Sequence, residues 1–491
     1  MFVAVKTLMF GGIAGKVLGI ARELLTAALF GTGAIAVAYR LAQAAFLIPL
    51  HGFLSDALGA GFTPAYARSR TGHVERSRIL FSGMHAIVLG VSIVAGLLLA
   101  LFAGHWVRVL APGFDPSTAR MAEQMVAVLS LAMPFYALTG LYASAEIAAG
   151  KAHMAAARAS VQSIGLMLGA LLAWWSGEAA FIAAGFLAAY VALAGWGFKA
   201  MLAQNLRPWP RRSEWTAALS SLGIVWRAIR VLLLIPVLLQ IHMVVERRVA
   251  SIVSEHAVAA LDYARFLSDT AVLLLAMPLG LAGLGAMAGM SEVRFRDVAH
   301  RSLRLLLYAG VPLSLALALH GETIVRLIFA RGAFGPESVA ATTTILQWLA
   351  VGLWAQLIAY AGAKFLSARD RNVRVIGIYL AAVGCNVALN LMLHPFIGAA
   401  ALGVSAAVNS VVFGLLILKY LGLLARMGWD LFTVGSLAAA YVLLWALAPS
   451  DISTRWWLPL SAFALYWCVA VVLIPRCRQV LHEAWLSFRA A

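Results

Sequence analysis

Hydrophobic residues run along this chain in long unbroken stretches, not in the half-polar periodicities of a water-soluble fold. A helix needs about 20 mostly apolar residues to cross about 30 Å of hydrocarbon. That window predicts fourteen spans, roughly at 7–30, 34–58, 79–105, 121–149, 155–175, 179–203, 224–246, 257–289, 301–320, 337–366, 373–394, 396–421, 429–448 and 456–475. The segments are continuously apolar instead of alternating, which favours helices over a transmembrane barrel. The expected fold class is an all-α polytopic membrane protein.

The polar positions between the spans set orientation. With the N-terminus placed in the cytoplasm, 26 of the 37 lysines and arginines fall on the cytoplasmic side, 7 on the opposite side and 4 inside spans. Basic residues concentrate on the cytoplasmic side of membrane proteins, so this asymmetry supports an even span count and cytoplasmic termini. It also changes the meaning of the net charge of +17. A basic balance can signal nucleic acid; here it is a topology signal, and no nucleic-acid partner is expected. Composition agrees: 63% of residues are hydrophobic and 12% charged. A soluble domain of this length could not hide so much apolar surface. The cysteines Cys385, Cys468 and Cys477 show neither metal-site nor disulfide spacing. The first apolar stretch runs through Lys16, Arg22 and Glu23 without a small-residue cleavage site, so it reads as a span and not as a removable signal.

An internal repeat is visible at an offset of 218: Tyr142 meets Tyr360, Ala143 meets Ala361, and Lys151 meets Arg369. It lays spans 4–5 over spans 10–11, as two six-helix lobes of the same direction would. The expected division is an N-terminal lobe at 1–205, a basic cytoplasmic linker at 206–223, a C-terminal lobe at 224–424, and two extra spans with a short tail at 425–491.

No phosphate-binding G-x-x-x-x-G-K-[ST] string is present, since GGIAGKVL has the wrong glycine spacing and places Val17 after Lys16. No cofactor, metal or catalytic residue is expected. Glycine-rich stretches such as 280–289 read as close helix packing. The informative residues are charges inside spans, which are costly in hydrocarbon and therefore face protein or water. Span 1 holds Lys16, Arg22 and Glu23; span 2 holds Arg40 and ends near Asp56; span 8 holds Asp262, Arg265 and Asp269. Adjacent residues on a helix diverge by about 100°, so Arg22 is expected to face a cavity instead of pairing with Glu23. Spacings of three and four put Arg265 on one face with both aspartates. Arg40, near the start of its span, is expected to snorkel to the interface. Arg326 and Arg331 fit an amphipathic external segment. Guanidinium forks suit pyrophosphate, so a cavity holding Arg22, Arg265 and Lys16 would prefer a phosphate-rich substrate to a cationic drug.

At these residues the chain resembles the MurJ (MviN) lipid II flippases of the MOP exporter superfamily. The strings are VLGIARELLTAALFGTG (17–33), APGFD (111–115), DYARFL (262–267) and IFARGAFGPESVAATTTILQWLAVGL (328–353). The resemblance implies two six-helix lobes in a V, two C-terminal helices beside a lipid-accessible groove, and outward flipping of an undecaprenyl-pyrophosphate-linked precursor by alternating access. It implies substrate-binding roles for Arg22 and Arg265, with Lys16 standing where the family has another arginine. Glu23 matches the family's acid, and Asp262 and Asp269 complete a supporting charge network. Leu50, Val37 and Ser268 stand where the family carries an arginine, an aspartate and an acidic residue.

The function expected is a flippase for lipid II in the cell inner membrane, driven by the membrane potential or an ion gradient. The expected partners are the lipid-linked glycan, membrane lipids and cell-envelope synthesis proteins. Three alternatives stay open: a flippase for another polyprenyl-linked oligosaccharide of exopolysaccharide or O-antigen type, a multidrug/cation antiporter of the same superfamily, and a non-transporting membrane scaffold.

Overall fold

The computed structural model describes residues 2–50, 62–72, 74–220, 223, 234–287, 289–448 and 457–489. The start of span 7, the end of span 2 with Asp56, and residues 221–222 of the linker lie outside them. Among the described residues all regular structure is helical.

Within those residues eight helices are long and apolar enough to cross a membrane, or ten if each of two bent pairs is one span. The other four predicted spans are accounted for locally. The first helix, α1 (Phe2–Phe30), carries Lys6, Lys16, Arg22 and Glu23. Two apolar helices are shorter as described, α2 (Ala34–Leu50) and the one at Trp457–Leu473. Another begins at Leu234, where the described residues resume. The chain is a polytopic membrane protein of about fourteen transmembrane helices.

In the first half, α3 (Thr63–Gly72), α4 (Val74–Leu101) and the short α5 (Ala103–Leu110) precede α6 (Pro116–Leu131), α7 (Met133–Ala148), α8 (His153–Ser176) and α9 (Ala180–Leu202). The second half repeats this order. Here α10 (Leu234–Val253), α11 (Glu255–Ala271), α12 (Met277–Ala286), α13 (Glu292–Leu319) and the short α14 (Gly321–Phe329) precede α15 (Pro336–Val351), α16 (Leu353–Ser367), α17 (Asn372–Ile397) and α18 (Ala400–Leu421). Equivalent starts, Val74 and Glu292, Ala103 and Gly321, Pro116 and Pro336, Ala180 and Ala400, differ by 218 to 220 residues. The repeat seen around Tyr142 and Tyr360 therefore extends over both halves. α19 (Leu424–Ala446), α20 (Trp457–Leu473) and α21 (Pro475–Arg489) stand outside it.

Spans 4 and 10 are each broken near the middle. α6 and α7 meet at 44°, α15 and α16 at 56°. Pro134, two residues into α7, has no N–H for the preceding turn, which accounts for the first break; Gly352 sits at the second. The short α5 and α14 each end a turn before a glycine loop, and both loops seat on a helix C-terminus. Gly113 packs against the carbonyl of Ser251 at the end of α10. Gly332, at φ +57°, packs against the carbonyl of Ala28 near the end of α1, where the Ala333 N–H donates to the same oxygen at 2.7 Å. Only a residue without a Cβ fits either position.

By packing, the chain forms two compact units: Met1–Ala259 with Arg331–Gly335, and Ala260–Ala330 with Pro336–Ala491. In the first unit α1 lies along α8, with Gly11 and Gly15 facing Ala156 and Ala159. This is the close small-residue contact that holds membrane helices where lipid offers no hydrophobic drive. Its core joins α2, α7 and α9 through Phe46, Tyr136, Phe186 and Tyr190, with Met125 and Leu129 of α6 in the same cluster. In the second unit α13 packs on α15, α16 and α19. Its basic N-terminal end is tied by ion pairs from Glu292 to Arg369 at 2.8 Å, Asp297 to Arg426 at 2.6 Å and Arg304 to Asp430 at 2.9 Å.

Candidate functional site

The charges of span 1 gather on one carboxylate. The turn after α1 contains Gly31 at φ +54° and reverses the chain, so α2 runs back along α1. Glu23 lies eight residues before that turn and Arg40 seven after Gly33, which at about 1.5 Å per residue sets them level. Glu23 and Arg40 are 4% and 7% exposed. Arg40 donates through both Nη atoms to the two Glu23 oxygens, one bond at 3.3 Å. Arg22 Nη2 donates to Glu23 Oε1 at 2.6 Å. One acid thus lies between two guanidiniums, and the cluster keeps a net positive charge.

Two expectations are corrected here. Arg40 does not snorkel, because Glu23 gives it a bidentate partner inside the bundle, better than a strained reach to the interface. Arg22 and Glu23 do pair: both side chains are long enough to bend toward each other despite their divergent start on the helix. Arg22 remains the most accessible of the three, at 18% of its side chain against 6% for Glu23 and 8% for Arg40. It commits only Nη2. Its Nε and Nη1 bond no described residue, so the fork stays available to an anion.

Lys16, two turns earlier on α1, is exposed. The span 8 residues lie on α11: Asp262 and Arg265 are half-buried, and Asp269 is exposed. Asp269 accepts from Gln356 Nε2 at 3.4 Å, and Ser268 donates to Gln356 Oε1 at 2.8 Å. That glutamine joins α11 to α16, and the hydroxyl of Ser268 serves the second unit's packing. Val37 and Leu50 are both buried. Lys16, Arg22, Glu23 and Arg40 belong to the first unit, and Asp262, Arg265, Ser268 and Asp269 to the second. In α14, Arg326 pairs with Glu322 at 2.7 Å.

One further cation was not singled out from sequence. Arg158 counts among the cytoplasmic residues, but it lies in the second turn of α8 and reaches inward. Its Nε donates to Tyr190 Oη at 3.2 Å, and its guanidinium carbon stands 4.4 Å from the centre of the Tyr136 ring. Tyr190 in turn donates to Gln162 at 2.7 Å. Among the described residues no carboxylate pairs with Arg158. Ring faces and a hydroxyl hold this charge within the helix bundle.

A sequence model of the family described as "Lipid II flippase MurJ" matches residues 26–474. A "Probable lipid II flippase MurJ" of Rhizobium meliloti (strain 1021) is 26% identical over 467 residues, covering 85% of this chain and 80% of that protein. Another so described, from Synechocystis sp., is 27% identical over 404 residues, covering 76% and 69%. Among solved structures, "Lipid II flippase MurJ, inward closed conformation" superposes with a TM-score of 0.80 at 16% identity, over 97% of this chain and 100% of that one. A MATE-family multidrug resistance transporter of the MOP superfamily gives 0.67 at 13% identity, over 87% and 99%. These two likenesses bear on the fold. The family match runs from the last turn of α1, just after Arg22 and Glu23, to the end of α20, well over half of the chain, and on that ground this chain belongs to the lipid II flippase MurJ family.

Proposed function

We propose that this chain carries lipid II from the cytoplasmic to the outer leaflet of the inner membrane by alternating access. The observation that carries the reading is the cationic cluster of α1 and α2. A cation in hydrocarbon costs from about 2.5 to more than 10 kcal/mol. Here Glu23 holds Arg40 and one arm of Arg22, leaving the rest of the Arg22 fork for a ligand. The pyrophosphate ligands are Arg22 and Lys16 in the first unit and Arg265 in the second; within their own units, Glu23 on one side and Asp262 and Asp269 on the other hold the cations in place between turnovers. The polyprenyl tail stays in lipid beside α19 and α20. The two termini are cytoplasmic, and cell-envelope synthesis proteins are the partners to look for. No bound cofactor takes part. Energy comes from the membrane potential or an ion gradient, and a charge crossing the field is worth about 2.3 kcal/mol per 100 mV.

Complementation of a strain depleted of its own lipid II flippase tests the reading. The wild-type chain should restore growth, and Arg22→Ala or Arg265→Ala should not, at equal membrane abundance. A scaffold would tolerate both substitutions. A flippase for another polyprenyl-linked oligosaccharide would fail to complement in its wild-type form. A cation antiporter would confer drug efflux.

A further inference from the structure

The stretch after α9 is a pinned strap at the cytoplasmic end of the first unit. α9 stops at a turn through Asn205, whose φ is +57°, and the Leu206 N–H closes it onto the Met201 carbonyl at 3.1 Å. Leu206 and Pro210 are buried, whereas Arg207, Trp209 and Arg211 are exposed. The Trp209 ring stands edge-on to His85 of α4, with centroids 6.2 Å apart. Between this strap and the start of α4 lies a recess of about 440 Å³. Its polar lining is Glu75, Arg78, Ser82, Asn205, Arg207, Arg211 and Glu214.

The carboxylates are largely occupied. Glu214 accepts the Arg211 backbone N–H at 2.8 Å, and Glu75 stands 3.8 Å from Arg78. Arg207 makes no hydrogen bond or ion pair to any described residue. Three guanidiniums against two carboxylates leave the recess positive. Trp209 and Trp215 beside it are 52% and 39% exposed, which is the aromatic-plus-basic pairing of a membrane interface. The cytoplasmic leaflet is the negatively charged one, and basic residues next to spans attract its anionic lipids.

We propose that this recess is a binding site for the headgroup of an anionic glycerophospholipid of the cytoplasmic leaflet, with Arg207 and Arg211 holding the phosphate and Trp209 at the acyl boundary. Burial of Leu206 and Pro210 fixes the backbone that carries Arg207 and Arg211, so only their side chains need ordering on binding. The site is separate from the α1–α2 cluster and does not depend on which glycan is transported.

The test is equilibrium binding of a fluorescent phosphatidylglycerol to the full-length, delipidated protein in neutral detergent. Wild-type protein should bind it in preference to the matching phosphatidylcholine, more weakly as salt rises. The double variant Arg207→Ala, Arg211→Ala should bind roughly ten- to thirty-fold more weakly, while Arg207→Lys, Arg211→Lys keeps most of the affinity. The double variant Arg108→Ala, Arg120→Ala, on α5 and α6 outside the recess, should bind as wild type and controls for net charge. Equal binding of phosphatidylcholine, or wild-type affinity in the double alanine variant, overturns the proposal. So does displacement of the lipid by low-millimolar inorganic phosphate, which would mark a soluble-anion site.

Discussion

Glu23 is the residue on which the charged hairpin turns. Removing one partner of a buried ion pair costs about 3–5 kcal/mol, whereas replacing both by well-packed apolar groups is often neutral. Glu23→Ala should therefore lower the apparent melting temperature in detergent sharply. The double variant Glu23→Leu, Arg40→Met should unfold near the wild-type temperature yet fail to complement, because Arg22 has lost its positioning acid. A stable double variant that complements would separate this pair from transport. Arg158 makes a different prediction. Lysine keeps its charge but loses the planar stack on Tyr136, so Arg158→Lys should cost about 1–2 kcal/mol, read from the same melting curves; an unchanged curve would mean the ring contact is incidental. At this scale the sequence was partly legible. Arg22 and Glu23 stand out because charges inside a span are rare. The pairing of Arg40 does not, since it depends on where the chain reverses at Gly31. The inward reach of Arg158 depends on Tyr136 and Tyr190, which are distant in sequence and come beside it only when α7 and α9 pack.

The breaks and glycine loops belong to the element scale. Both broken spans leave backbone groups in mid-membrane that a straight helix would satisfy, which protein tolerates only inside a bundle. The Gly332 loop combines a left-handed backbone with a carbonyl against the missing Cβ. Asparagine accepts the first condition but not the second. Gly332→Asn should thus destabilise the protein by about 1–3 kcal/mol. Gly150→Asn, at φ +77° with open space around it, should be close to neutral. Thermal unfolding in one detergent checks both, and equal behaviour would show that the Ala28 contact yields freely. The strings around Gly113 and Gly332 are recognisable in the sequence as motifs. Their docking onto Ser251 and Ala28 was not, because each loop meets a helix of the other repeat, more than 130 residues away.

For the whole molecule, apolar run length located the spans well, since hydrocarbon thickness leaves little choice of helix length. It could not show that spans 4 and 10 are bent, because a proline or glycine within an apolar run does not fix an angle. Single cysteines in a chain freed of its own three test the orientation. Cysteine in place of Lys151 or Arg371 should react with an impermeant maleimide only from the cytoplasmic side, and in place of Asp115 or Glu337 only from outside; the reverse pattern would invert the proposed topology. The central claim is that Arg22 serves the passage of lipid II. Its most direct test is the fraction of lipid II open to a membrane-impermeant reagent at the outer face of cells depleted of their own flippase. The account predicts that this fraction recovers when the wild-type chain is expressed and stays low with Arg22→Ala at equal abundance. Recovery with the alanine variant, or none with the wild type, would contradict it.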